Sequence, residues 1–204
     1  IVKITNNMKT TFDVTSGKMV CSDPCYELGT WCQGVVDNVK NGKWDAGIAT
    51  SDEGSWGERI SHLWVYHIDA VAKNPKILRE IEQFNGYQLA FDFGVDSGQF
   101  GFFDFANYRN DASAVGLDKY NFGNDFSMKE SGDEWYRVCC NFTLGEHSWG
   151  VLPNGAVSSS GYGDGSYAVV GIKDDSGEWV AFCVEYIGQE EETDDWDDED
   201  ENND

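Results

Sequence analysis

Basic residues are scarce in this chain. Its 14 Lys and Arg stand against 37 Asp and Glu, a formal net charge of −23. A protein that grips nucleic acid through its phosphates needs a basic surface, so the expectation is no direct nucleic-acid binding. Proline is scarce as well, 3 in 204 residues against 23 glycines. Few fixed kinks and many residues able to adopt positive φ point to hairpins. No apolar run approaches the ~20 residues that a membrane-spanning helix needs, so no membrane association is expected. The opening IVKITNNMKTTF lacks the apolar stretch of a signal peptide. The expected location is cytoplasmic, while a mature secreted chain would read the same.

Signatures of familiar chemistry are also missing. The cysteines (Cys21, Cys25, Cys32, Cys139, Cys140 and Cys183) form no pair of C-x-x-C clusters. A structural zinc site is therefore unsupported, and the six read as reduced, small core residues. Ser158–Ser160 lack a G-x-S-x-G elbow, and no His or Asp partner can be assigned, so no nucleophilic triad is expected. His62 and His67 have opposite parity on one expected strand, which points them to opposite faces and argues against a metal pair.

Aromatic residues, by contrast, are plentiful: 8 Trp, 12 Phe and 9 Tyr. That bias favours strands. Acid is concentrated at the C-terminus, where Glu190–Asp204 holds 11 carboxylates and no cation. The reading is a single β-rich domain over 1–188 followed by a disordered acidic tail over 189–204. Trp196, alone inside that acid run, has the look of a short docking motif for a basic partner; the plainer alternative is a solvated tail. Trp31, Trp44, Trp56, Trp149 and Trp179 read as core or half-buried strand residues, some of them available to an interaction surface.

Alternation and turn signals predict the elements. TTFDVT and KMVCSD read as a strand pair about Ser16–Gly17, and KWDAGIAT pairs with ERISHLWVYHI. YQLAFDFGV and QFGFFDF flank DSG. SWGVLP and GAVSSS pair across Asn154–Gly155, and SYAVVGIKD pairs with EWVAFCVEYI. A short helix is expected over WCQGVVDNVKNG with Thr30 as its cap. The clear amphipathic helix follows Asn74–Pro75, with Ile77, Leu78, Ile81 and Phe84 at helical spacing. EWYRVCCNFTL reads as a strand, and 110–131 as a long irregular loop. The expected fold is α+β, mostly antiparallel β-sheet with one clear amphipathic helix and one short helix, and sandwich-like.

Three loops combine aspartate with glycine or other small residues beyond what a turn needs: SDPCY (22–26), VDSGQFGFFD (95–104) and SSSGYGDGSY (158–167). A backbone rich in glycine can approach a ligand closely, with Asp164 or Ser166 as polar contacts. The competing reading is a turn in which Asp164 accepts backbone N–H bonds. Asp23, Asp96, Asp104 and Asp164 together could offer oxygen ligands to a hard divalent cation, or a pair of them could act as acid and base in hydrolysis. No other cofactor is expected. GYGDGSY itself lacks the G-K-[S/T] ending of a P-loop, and its ligand pattern is not that of an EF-hand.

SGKMVCSDP, VDSGQFGFFD and SSSGYGDGSYAVVGIKDDSGEWVAFCVEY, in that order, resemble the domain-of-unknown-function 4241 family of bacterial and phage proteins. The resemblance spans roughly 11–187. The chain departs from it at Ala168, where the family would have proline, and in the insert near 105–133. It implies a soluble, β-rich intracellular domain and no established activity. It also implies that the family's pattern concentrates on Asp23, Asp96, Gly98, Asp104, Gly163, Asp164, Gly165, Ser166 and Tyr167. The leading expectation is a non-catalytic binding module that takes a small ligand, a cation or a protein through these loops, with Asp96, Asp104 and Asp164 converging on one pocket. The rivals are a phage or mobile-element accessory protein that neutralises a basic host or toxin protein through its acidic surface, and a hydrolase using paired aspartates.

Overall fold

The computed structural model describes residues 9–123 and 131–188. The expected acidic tail and its Trp196 lie outside the described residues, as does part of the 110–131 loop. In chain order the strands begin with β1 (Thr11–Val14), β2 (Lys18–Ser22), β3 (Gly34–Asp37), β4 (Gly42–Asp52) and β5 (Glu58–His67). Two one-and-a-half-turn helices follow, α1 (Ile68–Lys73) and α2 (Lys76–Ile81), then β6 (Tyr87–Gln88), β7 (Phe93–Val95) and β8 (Gln99–Asp104). The longest helix, α3 (Asp133–Thr143), precedes β9 (Trp149–Leu152), β10 (Gly155–Ser159), β11 (Gly165–Lys173) and β12 (Trp179–Glu185).

The strands form two antiparallel sheets, packed face to face as an α+β sandwich. One runs β1-β4-β5-β12-β11-β6, with β7 added to β11; the other runs β3-β2-β8-β10-β9. Period-2 alternation explains the layering. Phe100 and Phe102 of β8 enter the central core with Phe12, Trp44, Leu63, Val65, Phe182 and Val184. The intervening Phe103 turns to the outer face, where α3 covers it with Trp135, Val138 and Cys139. On the other outer face, Trp64, Ala181 and Cys183 meet Ile77 and Ile81 of α2. Helices therefore cap both sides of the sandwich. Among the described residues no helix is long and apolar enough to cross a membrane.

One position limits how tightly these layers can change. A Cβ at Gly101 would sit 2.4 Å from the Ala156 carbonyl oxygen and 2.4 Å from the Phe103 ring. Backbone cannot yield as a side-chain tip can. Gly101→Ala is expected to cost about 1–3 kcal/mol through overpacking. A lower urea midpoint with unchanged slope would show it; an unchanged midpoint would refute it.

Several local expectations need correction. Residues 34–37 form β3, paired with β2, rather than a helix; consecutive Val35 and Val36 favour the pleat, and the Thr30 hydroxyl donates to the Glu27 carbonyl instead of capping. EWYRVCCNFTL is α3, because Trp135, Val138 and Cys139 fall on one helical stripe against Phe103. The helix after Asn74–Pro75 is present as α2, with Asn74 Oδ1 accepting from Lys76 N–H. The pairs expected about Ser16–Gly17 and about 96–98 are not hairpins. β1 and β7 belong to one sheet and β2 and β8 to the other, so both turns are corners where the chain changes sheets. The 160–164 loop is a third corner, from β10 to β11.

Candidate functional site

Three of the four aspartates singled out in the sequence, Asp23, Asp104 and Asp164, hold these corners through their carboxylates. Asp23 is fully buried at the end of β2. Its Oδ1 accepts from Cys25 N–H at 2.9 Å and Ser97 Oγ at 2.6 Å; its Oδ2 accepts from the N–H groups of Asp96 at 2.9 Å and Ser97 at 2.7 Å. Asp164 reaches across to the same corner, where its Oδ1 accepts from Gly98 N–H at 3.0 Å. Ser160 N–H returns a bond to the Gly98 carbonyl at 3.0 Å. The 22–26, 96–98 and 160–164 segments therefore do come together. Asp96 is exposed, and only its backbone N–H takes part in the corner. Gly163 and Tyr167 close the third loop on itself, because the Tyr167 hydroxyl donates to the carbonyls of Ser160 at 2.9 Å and Gly163 at 2.6 Å. Gly165 and Ser166 are spent on strand pairing with Val95 and Gly94.

Asp104 does not join them. It stands at the opposite end of β8 from Gln99, five steps along the strand and hence roughly 17 Å away. There it fastens the β1–β2 corner. Oδ1 accepts from Thr15 N–H, Ser16 N–H and Ser16 Oγ, and Oδ2 from Thr15 Oγ1 and Asn107 Nδ2, all within 2.7–3.0 Å. Burial alone would raise the Asp104 pKa, but these donors outweigh it and hold the carboxyl below the usual aspartate range. The expected pocket of Asp96, Asp104 and Asp164 is thus not formed. Nor is the oxygen-rich cation site: among the described residues no three His, Cys, Asp or Glu side chains are grouped to hold a metal ion.

All six cysteines are free. Cys25, partly exposed beside the Asp23 corner, is the one a reagent could reach. Burial, then the negative charge of Asp23, pushes its thiol pKa up, so it stays protonated and is a poor nucleophile.

The cavity that does open beside GYGDGSY lies on its other flank. A cleft of about 850 Å³ runs between the β4–β5 hairpin, the end of α2, Tyr162 and the segment after β12. Gly161 permits this. Its φ is +60°, and a Cβ there would meet Tyr186 Cβ at 3.0 Å and Ile187 Cγ1 at 3.1 Å. The chain can therefore press against the end of β12 and project Tyr162, 59% exposed, over the opening. Asp52, Glu53 and Glu82 line the cleft, and no Lys or Arg does among the described residues. The Tyr162 hydroxyl donates to Glu53, as does Ser51 Oγ, and the Ser51 and Tyr162 bonds hold the Glu53 carboxyl below its ordinary pKa. Burial pushes Glu82 the other way, up.

The floor carries Ser61 and His62, the latter hydrogen-bonded to Glu185. Sequence parity correctly separates His62 from His67. His67 is buried at the start of α1, its Nδ1 accepting from Ala70 N–H and its Nε2 3.0 Å from the Asn41 carbonyl. Parity misses Ser61, for reasons that lie in the pairing of β4 and β5. Of the tryptophans, Trp44 is wholly buried, whereas Trp31 and Trp56 are 83% and 67% exposed. Comparison with known proteins found no matching family model, no matching curated protein and no matching solved structure.

Proposed function

We propose that the protein is a binding module that takes a positively charged segment of a protein partner into the cleft beside Tyr162. One observation carries this reading: Asp52, Glu53 and Glu82 line a cavity of about 850 Å³ without a lysine or arginine among the described lining, under an exposed tyrosine. A carboxylate-lined, partly desolvated cleft favours guanidinium or ammonium groups, and an aromatic at its mouth adds stacking and cation–π attraction. The strongly acidic chain steers such a partner from a distance. Asp164 serves this site indirectly, by tying the 160–164 loop from which Tyr162 projects to Gly98, in the corner that Asp23 holds. The resemblance to the domain-of-unknown-function 4241 family supports a bacterial or phage setting, and the free cysteines suit the cytoplasm.

Fluorescence anisotropy with a labelled oligo-arginine peptide tests the proposal on the full chain. Binding is expected to weaken about tenfold or more between low and physiological salt, because the contacts are ionic. The triple variant Asp52→Asn, Glu53→Gln, Glu82→Gln is expected to lose roughly tenfold or more in affinity, several charge-assisted hydrogen bonds being removed. Wild-type affinity in that variant would assign the binding to the C-terminal acid run and overturn the cleft.

A further inference from the structure

The floor of the cleft contains a hydrogen-bonded chain that a regular strand could not build. Ala49 pairs with His62 and Thr50 with Ile60, so Ser61 is the extra residue of a β-bulge in β5. In an unbroken strand Ser61 and His62 would face opposite sides. The bulge re-aims the serine, and both side chains line the cleft. Ser61 Oγ lies 3.0 Å from His62 Nδ1, and His62 Nε2 lies 3.1 Å from Glu185 Oε2. A carboxylate only accepts, so Nε2 carries the ring proton. Nδ1 then presents its lone pair to the Ser61 hydroxyl. The ring is held on two further sides. Glu185 is the cross-strand partner of His62 in the β5–β12 register. Phe84 packs edge-on against the imidazole with ring centroids 6.2 Å apart. Phe84 is placed there by the end of α2, where its φ of +55° turns the chain and Asn85 N–H bonds the Glu80 carbonyl at 2.9 Å.

We propose that Ser61 is a nucleophile for acyl transfer, with His62 as its general base through Nδ1 and Glu185 as the positioning residue that fixes the ring tautomer. Triads are recognised by roles and geometry rather than by chain order, and here the order is Ser–His–Glu with serine and histidine adjacent. Ser61 Oγ attacks the acyl carbon and forms the O–C bond as its proton passes to Nδ1. The bond to the leaving alcohol breaks, and that oxygen takes the proton from Nδ1. Water then attacks the acyl-serine, gives its proton to Nδ1, and releases the acid as Ser61 Oγ is reprotonated. The substrate class is a small ester, neutral or cationic, because the carboxylates of Asp52, Glu53 and Glu82 repel an anionic one. This activity goes beyond binding a basic segment and does not depend on it.

The test uses the full chain and a neutral fluorophosphonate, read by intact and peptide mass spectrometry. One adduct is expected, on Ser61, absent in Ser61→Ala and slower by roughly 10²–10⁴-fold in His62→Gln. Ring ¹⁵N shifts should show Nδ1 unprotonated in the wild type and exchanged with Nε2 in Glu185→Gln, whose amide can donate to Nε2. Circular dichroism confirms that each variant is folded. No adduct on Ser61 in folded wild type, an adduct rate in His62→Gln equal to wild type, or an Nδ1 protonated in the wild type would each overturn the proposal. A neutral probe makes no use of the rim carboxylates, so its failure leaves the peptide-binding result untouched.

Discussion

Asp23→Ala is expected to be the most damaging single substitution away from the apolar core. The carboxylate has no exposed surface and accepts four hydrogen bonds, three from backbone N–H groups of Cys25, Asp96 and Ser97 and one from Ser97 Oγ. Alanine would leave these donors facing a cavity. Each unsatisfied buried donor costs about 1–3 kcal/mol, and not all can find water. A net loss of about 3–5 kcal/mol follows, a large share of the ~5–15 kcal/mol that holds a domain folded. Asp23→Asn separates charge from geometry. Its amide nitrogen cannot face Asp96 and Ser97 N–H together, so it must turn to the other side, toward Cys25 N–H and the adaptable Ser97 hydroxyl. That leaves one backbone donor unpaired and predicts about 1–3 kcal/mol. Urea denaturation should rank the three as wild type, asparagine, alanine. Equal midpoints for alanine and wild type would show that the corner does not need its carboxylate.

That ranking bears on what the Asp/Gly pattern is for. SDPCY, VDSG and GYGDGSY were legible as special, because each holds more aspartate and glycine than a turn requires. Their role was not legible, since the partner of each carboxylate lies far away in the chain. Asp23 meets Ser97, and Asp104 meets Thr15 across 89 positions. A sequence shows that an aspartate sits beside a glycine; it does not show which distant N–H groups the fold will bring to it. Sheet corners are where such groups collect, because the chain leaves one ladder before it joins the next and its N–H groups lose their regular partners. The carboxylates of Asp23, Asp104 and Asp164 fill that deficit, which leaves the exposed Asp96 without partners for the expected pocket.

The sandwich itself was readable where alternation was clean. Phe100, Phe102 and Phe103 declare two faces of β8, and Asn154–Gly155 declares the β9–β10 hairpin. Reading failed where composition and context disagreed. Tyr136, Val138 and Phe142 give α3 a strand-like composition, and only the stripe of Trp135, Val138 and Cys139 against Phe103 fixes it as a helix. β3 is too short for periodicity to mark. The cleft was the least legible feature. Asp52, Glu53 and Glu82 come from separate elements, and the Ser61–His62 contact depends on a one-residue bulge that no local signal announces.

The second large effect is expected at Asp104, and it carries a sign in pH. Its carboxylate takes five hydrogen bonds from Thr15, Ser16 and Asn107, which lower its pKa in the folded chain despite burial. An unfolded aspartate titrates near ~3.9. A folded value below that means the unfolded chain binds the proton more readily. The ionised group therefore stabilises the fold fully above the unfolded value, and this contribution fades as pH falls through the folded one. Asp104→Ala should cost about 2–4 kcal/mol at neutral pH, because several donors lose a charge-assisted acceptor together. The gap to wild type should shrink as pH drops below ~4, because the wild type then loses the same charge-assisted bonds. Parallel urea titrations of the two proteins from neutral to acid pH measure this directly. A gap that stays constant across that range would mean that the β1–β2 corner is held by the shape of Asp104 rather than by its charge.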